Sequence, residues 1–84
     1  MSETVPLGKV IFGIRQRMGL SQDKFCRLLN VTKGALTHWE HGRSTPTFMH
    51  LVAIHALCRS PRERKRLEAF MAQRVSRISQ IYPI

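Results

Sequence analysis

Between Gln22 and Gly42 the sequence QDKFCRLLNVTKGALTHWEHG carries two short amphipathic patterns on either side of one asparagine, and few folds accommodate that arrangement. Phe25, Leu28 and Leu29 make the inward stripe of the first pattern, with the small Cys26 beside them. Asn30 tolerates positive φ, which allows a tight reversal. Val31 then points inward, and Thr32 has the chemistry to cap the next helix. On that helix Ala35, Leu36 and Trp39 share one face. Lys33, Gly34, Thr37, His38 and His41 occupy a sector of about 140° on the other, at roughly 100° per residue. The chain is therefore expected to hold two packed helices, the second with a polar, donor-rich outer face.

The flanks read as scaffold. Residues 1–6 are an arm without period. Leu7, Val10, Ile11, Ile14 and Met18 recur at helical spacing, Gly8 and Gly13 weaken that helix locally, and Gly19 is placed to end it in a left-handed cap. Ser21 is the expected cap of the second helix. After Gly42, Thr45-Pro46 reads as a cap plus a first-turn proline for a fourth helix over Thr47 to Cys58. That segment is apolar nearly all round, which predicts a buried central helix. Ser60-Pro61-Arg62-Glu63 fits a capping box opening a fifth helix, whose stripe is Leu67, Phe70, Met71, Val75 and Ile78, interrupted by Arg74. The expected fold is all-α, five helices, with residues 7–58 as the main unit and 59–84 as a basic amphipathic helix and tail.

Length and charge narrow the function classes. A chain of 84 residues buries only about 60% of its unfolded surface, which leaves little room for an enclosed catalytic cleft. Lys and Arg number 14 against 5 acidic residues, a net charge of +9, and an excess of this size calls for a polyanionic partner. Seven basic and two acidic side chains lie between 59 and 77. No nucleophile motif or phosphate loop occurs, so the chain is read as a non-enzyme without cofactor. His38 with His41, or His55 with Cys58, has a spacing open to metal, but no four-ligand set is complete, and no metal is expected. Cys26 and Cys58 fall in apolar patterns and are expected as reduced core residues. No stretch approaches the ~20 apolar residues of a spanning helix, and a cytoplasmic protein without membrane contact is expected.

Leu20-Ser21-Gln22 at the second helix, Cys26, Val31, Leu36 and Trp39 inside, and the run Trp39-Glu40-x-Gly42-Arg43-x-x-Pro46 occur together at fixed spacing. In this combination the segment from about 7 to 58 resembles the helix-turn-helix of the phage repressor and Cro-like family, also called the xenobiotic-response-element family. Family members usually have alanine where Cys26 stands and glycine where Asn30 stands; both replacements are sterically compatible. The resemblance implies a compact lambda-repressor-like domain whose third helix, residues 33–41, enters the major groove of double-stranded DNA. Lys33, Gly34, Thr37 and His38 would face base edges, with Lys33 donating to guanine O6 or N7. Gln22, Thr32, His41, Arg43, Ser44, Arg15 and Arg17 would meet phosphates, which set register without reading sequence. In the family an arginine of the first helix pairs with the glutamate that falls here on Glu40. Arg15 is the matching residue, and the pair is expected to be structural while turning Arg15 toward the DNA backbone.

The resemblance further implies a transcriptional regulator, a homodimeric repressor on a palindromic operator, of a kind often encoded by phages or mobile elements. Leu67, Phe70, Met71, Arg74, Val75 and Ile78 would then form the dimer interface, unless that helix docks back on its own core. Two alternatives stand beside this reading. One is an antitoxin that uses the fifth helix to hold a toxin partner; the other is an RNA-binding protein dominated by the basic fifth helix.

Overall fold

The computed structural model describes residues 5–81, with side chains described through Ser76. The expected arm is thus seen only at Val5 and Pro6, and residues 82–84 and the Ile78 side chain lie outside the described residues. Five helices follow in order and, among the described residues, no strand: α1 (Leu7–Arg17), α2 (Gln22–Leu29), α3 (Lys33–Glu40), α4 (Phe48–Leu57) and α5 (Pro61–Ile81). The all-α expectation holds.

Helix ends follow the sequence chemistry closely in the first half of the chain. Gly19 takes φ 70° beyond the end of α1, and Asn30 takes φ 56°, ψ 48° between α2 and α3. Ser21 accepts a hydrogen bond from the Lys24 N–H, and Thr32 accepts one from the Ala35 N–H. Each cap satisfies an otherwise orphaned first-turn donor. At α4 the cap is Thr47, which accepts from the His50 N–H at 3.2 Å, and not Thr45. Pro46 precedes the cap and is fully buried, so it fills the core where a first-turn role was expected.

Val10, Ile11, Ile14, Phe25, Cys26, Leu29, Leu36, Trp39, Leu51, Ile54, Cys58 and Leu67 form one contiguous core. Helix α1 crosses α3 closely enough that a Cβ on Gly8 would strike the carbonyl oxygens of Trp39 and Glu40. The glycine read from sequence as a weak point of α1 is what lets α1 lie on the C-terminal end of α3.

Helix α4 departs from its expected burial. Leu51 and Ile54 are completely enclosed, but Met49 is 70% exposed, Val52 is 37% exposed and Ala56 faces solvent. An all-apolar sequence has no polar face to mark its outside, and α5 covers α4 on one side only. Helix α5 in turn docks back on α1 and α4. Leu67, expected between two copies, is 0% exposed within its own chain, and Phe70 and Met71 pack against the same core. Those three stripe positions are used up, wholly or in part, inside the monomer; Arg74 is half-buried and Val75 remains 49% exposed. The Glu63 side chain also departs from the capping box. Its N–H reaches Ser60 Oγ at 3.5 Å, but its carboxylate turns inward beside Gly13 and lies 3.0 Å from Arg17 Nε. The Arg17 N–H is not aimed at that oxygen, which keeps no hydrogen bond, so the contact is one of charge alone.

Candidate nucleic-acid interface

Helix α3 shows a strict division between its two sides. Leu36 and Trp39 are buried, Trp39 lying 5.2 Å from the His50 ring, while Lys33, Gly34, His38 and His41 are exposed and Thr37 is half-buried. The expected reading residues therefore do share one accessible face. Their hydrogen bonds decide what each can offer a ligand. Thr37 Oγ1 donates to the Lys33 carbonyl at 2.8 Å, so its proton is committed, and its lone pairs and methyl face outward. His41 Nδ1 lies 2.8 Å from the Thr37 carbonyl oxygen. A carbonyl only accepts, so Nδ1 carries the proton, and Nε2 can donate to an anion only when the ring is the imidazolium. Lys33 Nζ sits 3.6 Å from Asp23, with both side chains more than 60% exposed. An exposed pair of that sort is worth at most about 1 kcal/mol and opens readily for a stronger acceptor.

What fixes this face in space is a buried clamp joining three helices. Arg15 Nε donates to Glu40 Oε2 at 2.7 Å and Nη2 donates to Oε1 at 3.2 Å. Arg15 Nη1 donates to the Leu20 carbonyl in the α1–α2 turn at 3.0 Å. Gln22 Nε2 adds a second donor to Glu40 Oε1 at 3.0 Å. The Phe12 ring lies 5.1 Å from the Arg15 guanidinium carbon and screens it from water. The clamp thus ties the end of α3 to the start of α2 and the end of α1. It also corrects one assignment. Arg15, expected to turn toward phosphates, has a side chain only 9% exposed, with its guanidinium directed inward. The Arg15–Glu40 pairing itself is present as expected.

The remaining phosphate candidates lie around α3. Thr32 is exposed; its oxygen serves the cap and its proton stays free. Arg43 and Ser44 are exposed in the loop after α3, but their backbone N–H groups both go to the His38 carbonyl, so only their side chains are available. Arg17 is 68% exposed beside Glu63. Gln22 is half-buried and spends one amide proton on Glu40, which leaves one. Asp23 in the first turn of α2 opposes an anion at that helix end. Sequence reasoning missed Phe12 and Gly8, both set by contacts to distant residues; Gly8 carried the only signal, a helix-breaking residue inside a helical stripe.

The thiols are structural. Cys26 and Cys58 are buried and unpaired in disulfides, each donating to a carbonyl oxygen at 3.6 Å, from Thr32 and Ser60 respectively. Burial pushes both thiols above their ordinary pKa, and Asp23 and Glu40 push Cys26 further the same way.

A helix-turn-helix family model matches residues 13–64, from mid-α1 through the first turn of α5. The chain belongs to the helix-turn-helix family. That family is one of DNA-binding transcriptional regulators and is generally non-enzymatic. No curated protein and no solved structure matches the chain. For this helix-turn-helix protein the family match covers the clamp, the α3 face and the Arg43-Ser44 loop, and it ends before Leu67. No described helix is long and apolar enough to cross a membrane.

Proposed function

We propose that the protein is a homodimeric repressor that reads a palindromic operator through α3. The observation that carries this reading is the one-sided α3: exposed donors on one face, a clamped core on the other, and a helix of eight residues held by α1 and α2. In the major groove Lys33 donates to guanine O6 or N7, and His38 donates to a purine N7. Gly34 adds no side chain, so the backbone approaches closely and leaves space for a thymine methyl. Thr37 offers its methyl and lone pairs, its proton being held by the Lys33 carbonyl. Thr32, Gln22, Arg43, Ser44 and Arg17 meet phosphates, and His41 joins them when its ring is charged.

Two copies on a palindrome would place half-site centres about 34–36 Å apart. Selection from random duplex DNA is the test. The expected product is a two-fold symmetric motif with that spacing; recovery of no shared motif would defeat the proposal, and recovery of an asymmetric single site would defeat its homodimeric part.

A further inference from the structure

We propose that Asp23 and Lys33 act as one unit that reads a single G·C base pair, with Asp23 taking the cytosine. This rests on the reading of α3 given above and names the base pair that its first residue selects. Lys33 opens α3, and Asp23 lies in the first turn of α2. Lys33 Nζ stands 3.6 Å from Asp23 Oδ1, with side chains 61% and 65% exposed. The carboxylate is thus placed at the N-terminal edge of the outer face of α3, beside the residue expected to read guanine. Capping does not account for it, because Ser21 caps α2 by accepting from the Lys24 N–H. An acid in that turn also suits the helix dipole, but that contribution is blind to base identity.

The major-groove edge of a G·C pair matches these two charges. Guanine presents two adjacent acceptors, N7 and O6, and cytosine presents the N4 amine. O6 and N4 are hydrogen-bonded to each other across the pair, so they lie roughly 3 Å apart. The 3.6 Å between ammonium and carboxylate is close to that spacing. Lys33 can therefore donate to O6 and N7 while Asp23 accepts from N4–H, with the ion pair kept rather than broken. An A·T pair fits less well. Its one donor, adenine N6–H, sits between acceptors that belong to different bases, so the ammonium reaches one acceptor where guanine supplies two.

Asp23 also discriminates by repulsion. The chain carries +9, and attraction of that kind to a duplex is strong and unselective. A carboxylate at the groove edge opposes the phosphates of every sequence and is compensated only where a base amine meets it, which counts against the wrong sites.

The test uses the full chain on the duplex recovered by selection, at the base pair where Lys33→Ala relaxes preference. That pair is expected to be G·C. Replacing its cytosine by 2-pyrimidinone removes the N4 amine and keeps both guanine acceptors. Wild type is expected to lose about fivefold or more in affinity beyond the loss seen with Asp23→Ala, which registers the weaker base pairing alone. Asp23→Ala is also expected to bind random duplex more tightly than wild type and to accept other pairs at this position. Equal losses in the two proteins, or a Lys33 position that is not G·C, overturn the paired reading and leave α3 as the reading helix. An Asp23→Ala chain that weakens on all sequences alike does the same. Should that chain melt early, Asp23→Ser takes its place, and wild type indifferent to the missing amine overturns the proposal with no variant at all. A Lys33→Ala chain with unchanged preference at every position overturns base reading by Lys33 along with it.

Discussion

Replacing Arg15 with alanine tests the clamp directly. The substitution removes three hydrogen bonds and leaves the Glu40 carboxylate, only 5% exposed, with Gln22 as its remaining donor. Breaking a buried ion pair from one side costs about 3–5 kcal/mol, because the surviving charge stays desolvated and unpaired. A domain of 84 residues has about 4–13 kcal/mol in total, so the loss is a large share of it. At ~4–8 °C per kcal/mol for a domain of this size, Tm should fall by roughly 12–40 °C. Thermal and urea denaturation followed by far-UV circular dichroism measure this. The control is Arg15→Met/Glu40→Leu, which removes both charges and should recover most of the loss. A second measurement separates a structural arginine from a phosphate-binding one. Each phosphate contact contributes about 0.9 to the slope of log K against log salt. Arg15→Ala, assayed cold where it remains folded, should lower affinity with the slope unchanged. An alanine variant within 1 kcal/mol of wild type, or a slope reduced by about one, would refute the clamp as described.

Two glycines should respond oppositely to alanine. Gly8→Ala drives a Cβ into the Trp39 and Glu40 carbonyls, and should destabilise by about 1–3 kcal/mol in urea titrations despite the gain in helix propensity. Gly34→Ala meets only Thr32 Oγ1 at 4.0 Å, and should stabilise by up to ~1 kcal/mol while altering operator affinity in a gel-shift assay. On the selected duplex, Lys33→Ala should cost about 1–3 kcal/mol and relax preference at one position per half-site, whereas Arg43→Ala should weaken all sequences alike and reduce the salt slope by about one. The buried thiols give an alkaline limit. Their folded pKa values are raised, so the unfolded thiols ionise first, near pH 8.5. The stability they contribute is complete below that pH and is lost as pH rises through the folded values. Urea midpoints should therefore fall between pH 8 and 10 more steeply in wild type than in a Cys26→Ala/Cys58→Ala variant.

The sequence was most legible where one residue type answers one local demand. Asn30 and Gly19 at positive φ, Ser21 and Thr32 as caps, and the divided faces of α3 all depend on groups within a turn of one another. The Arg15–Glu40 pair, 25 residues apart, was legible only through family resemblance. Its inward rotation was not, because that depends on the Leu20 carbonyl, Gln22 and Phe12 converging on one guanidinium. Helix α4 was misread for a different reason. Periodicity identifies an inner face by contrast with a polar outer one, and a helix apolar all round supplies no contrast. The Leu67 stripe was read correctly as a stripe, but periodicity does not say which surface covers it; here α1 and α4 of the same chain do. Pro46 and Gly8 show the same limit, since each is explained by a neighbour remote in sequence.

The separation of the clamp from the exposed side of α3 bears on how such a protein changes over time. Lys33, Gly34 and His38 are exposed and no core packing depends on them, so replacing them costs the fold little. Arg15, Glu40 and Gly8 have no such freedom. On the proposed reading of α3, a lineage built on this chain would reach new target sequences by single substitutions, each passing through a folded intermediate, while the residues that aim the helix stay fixed.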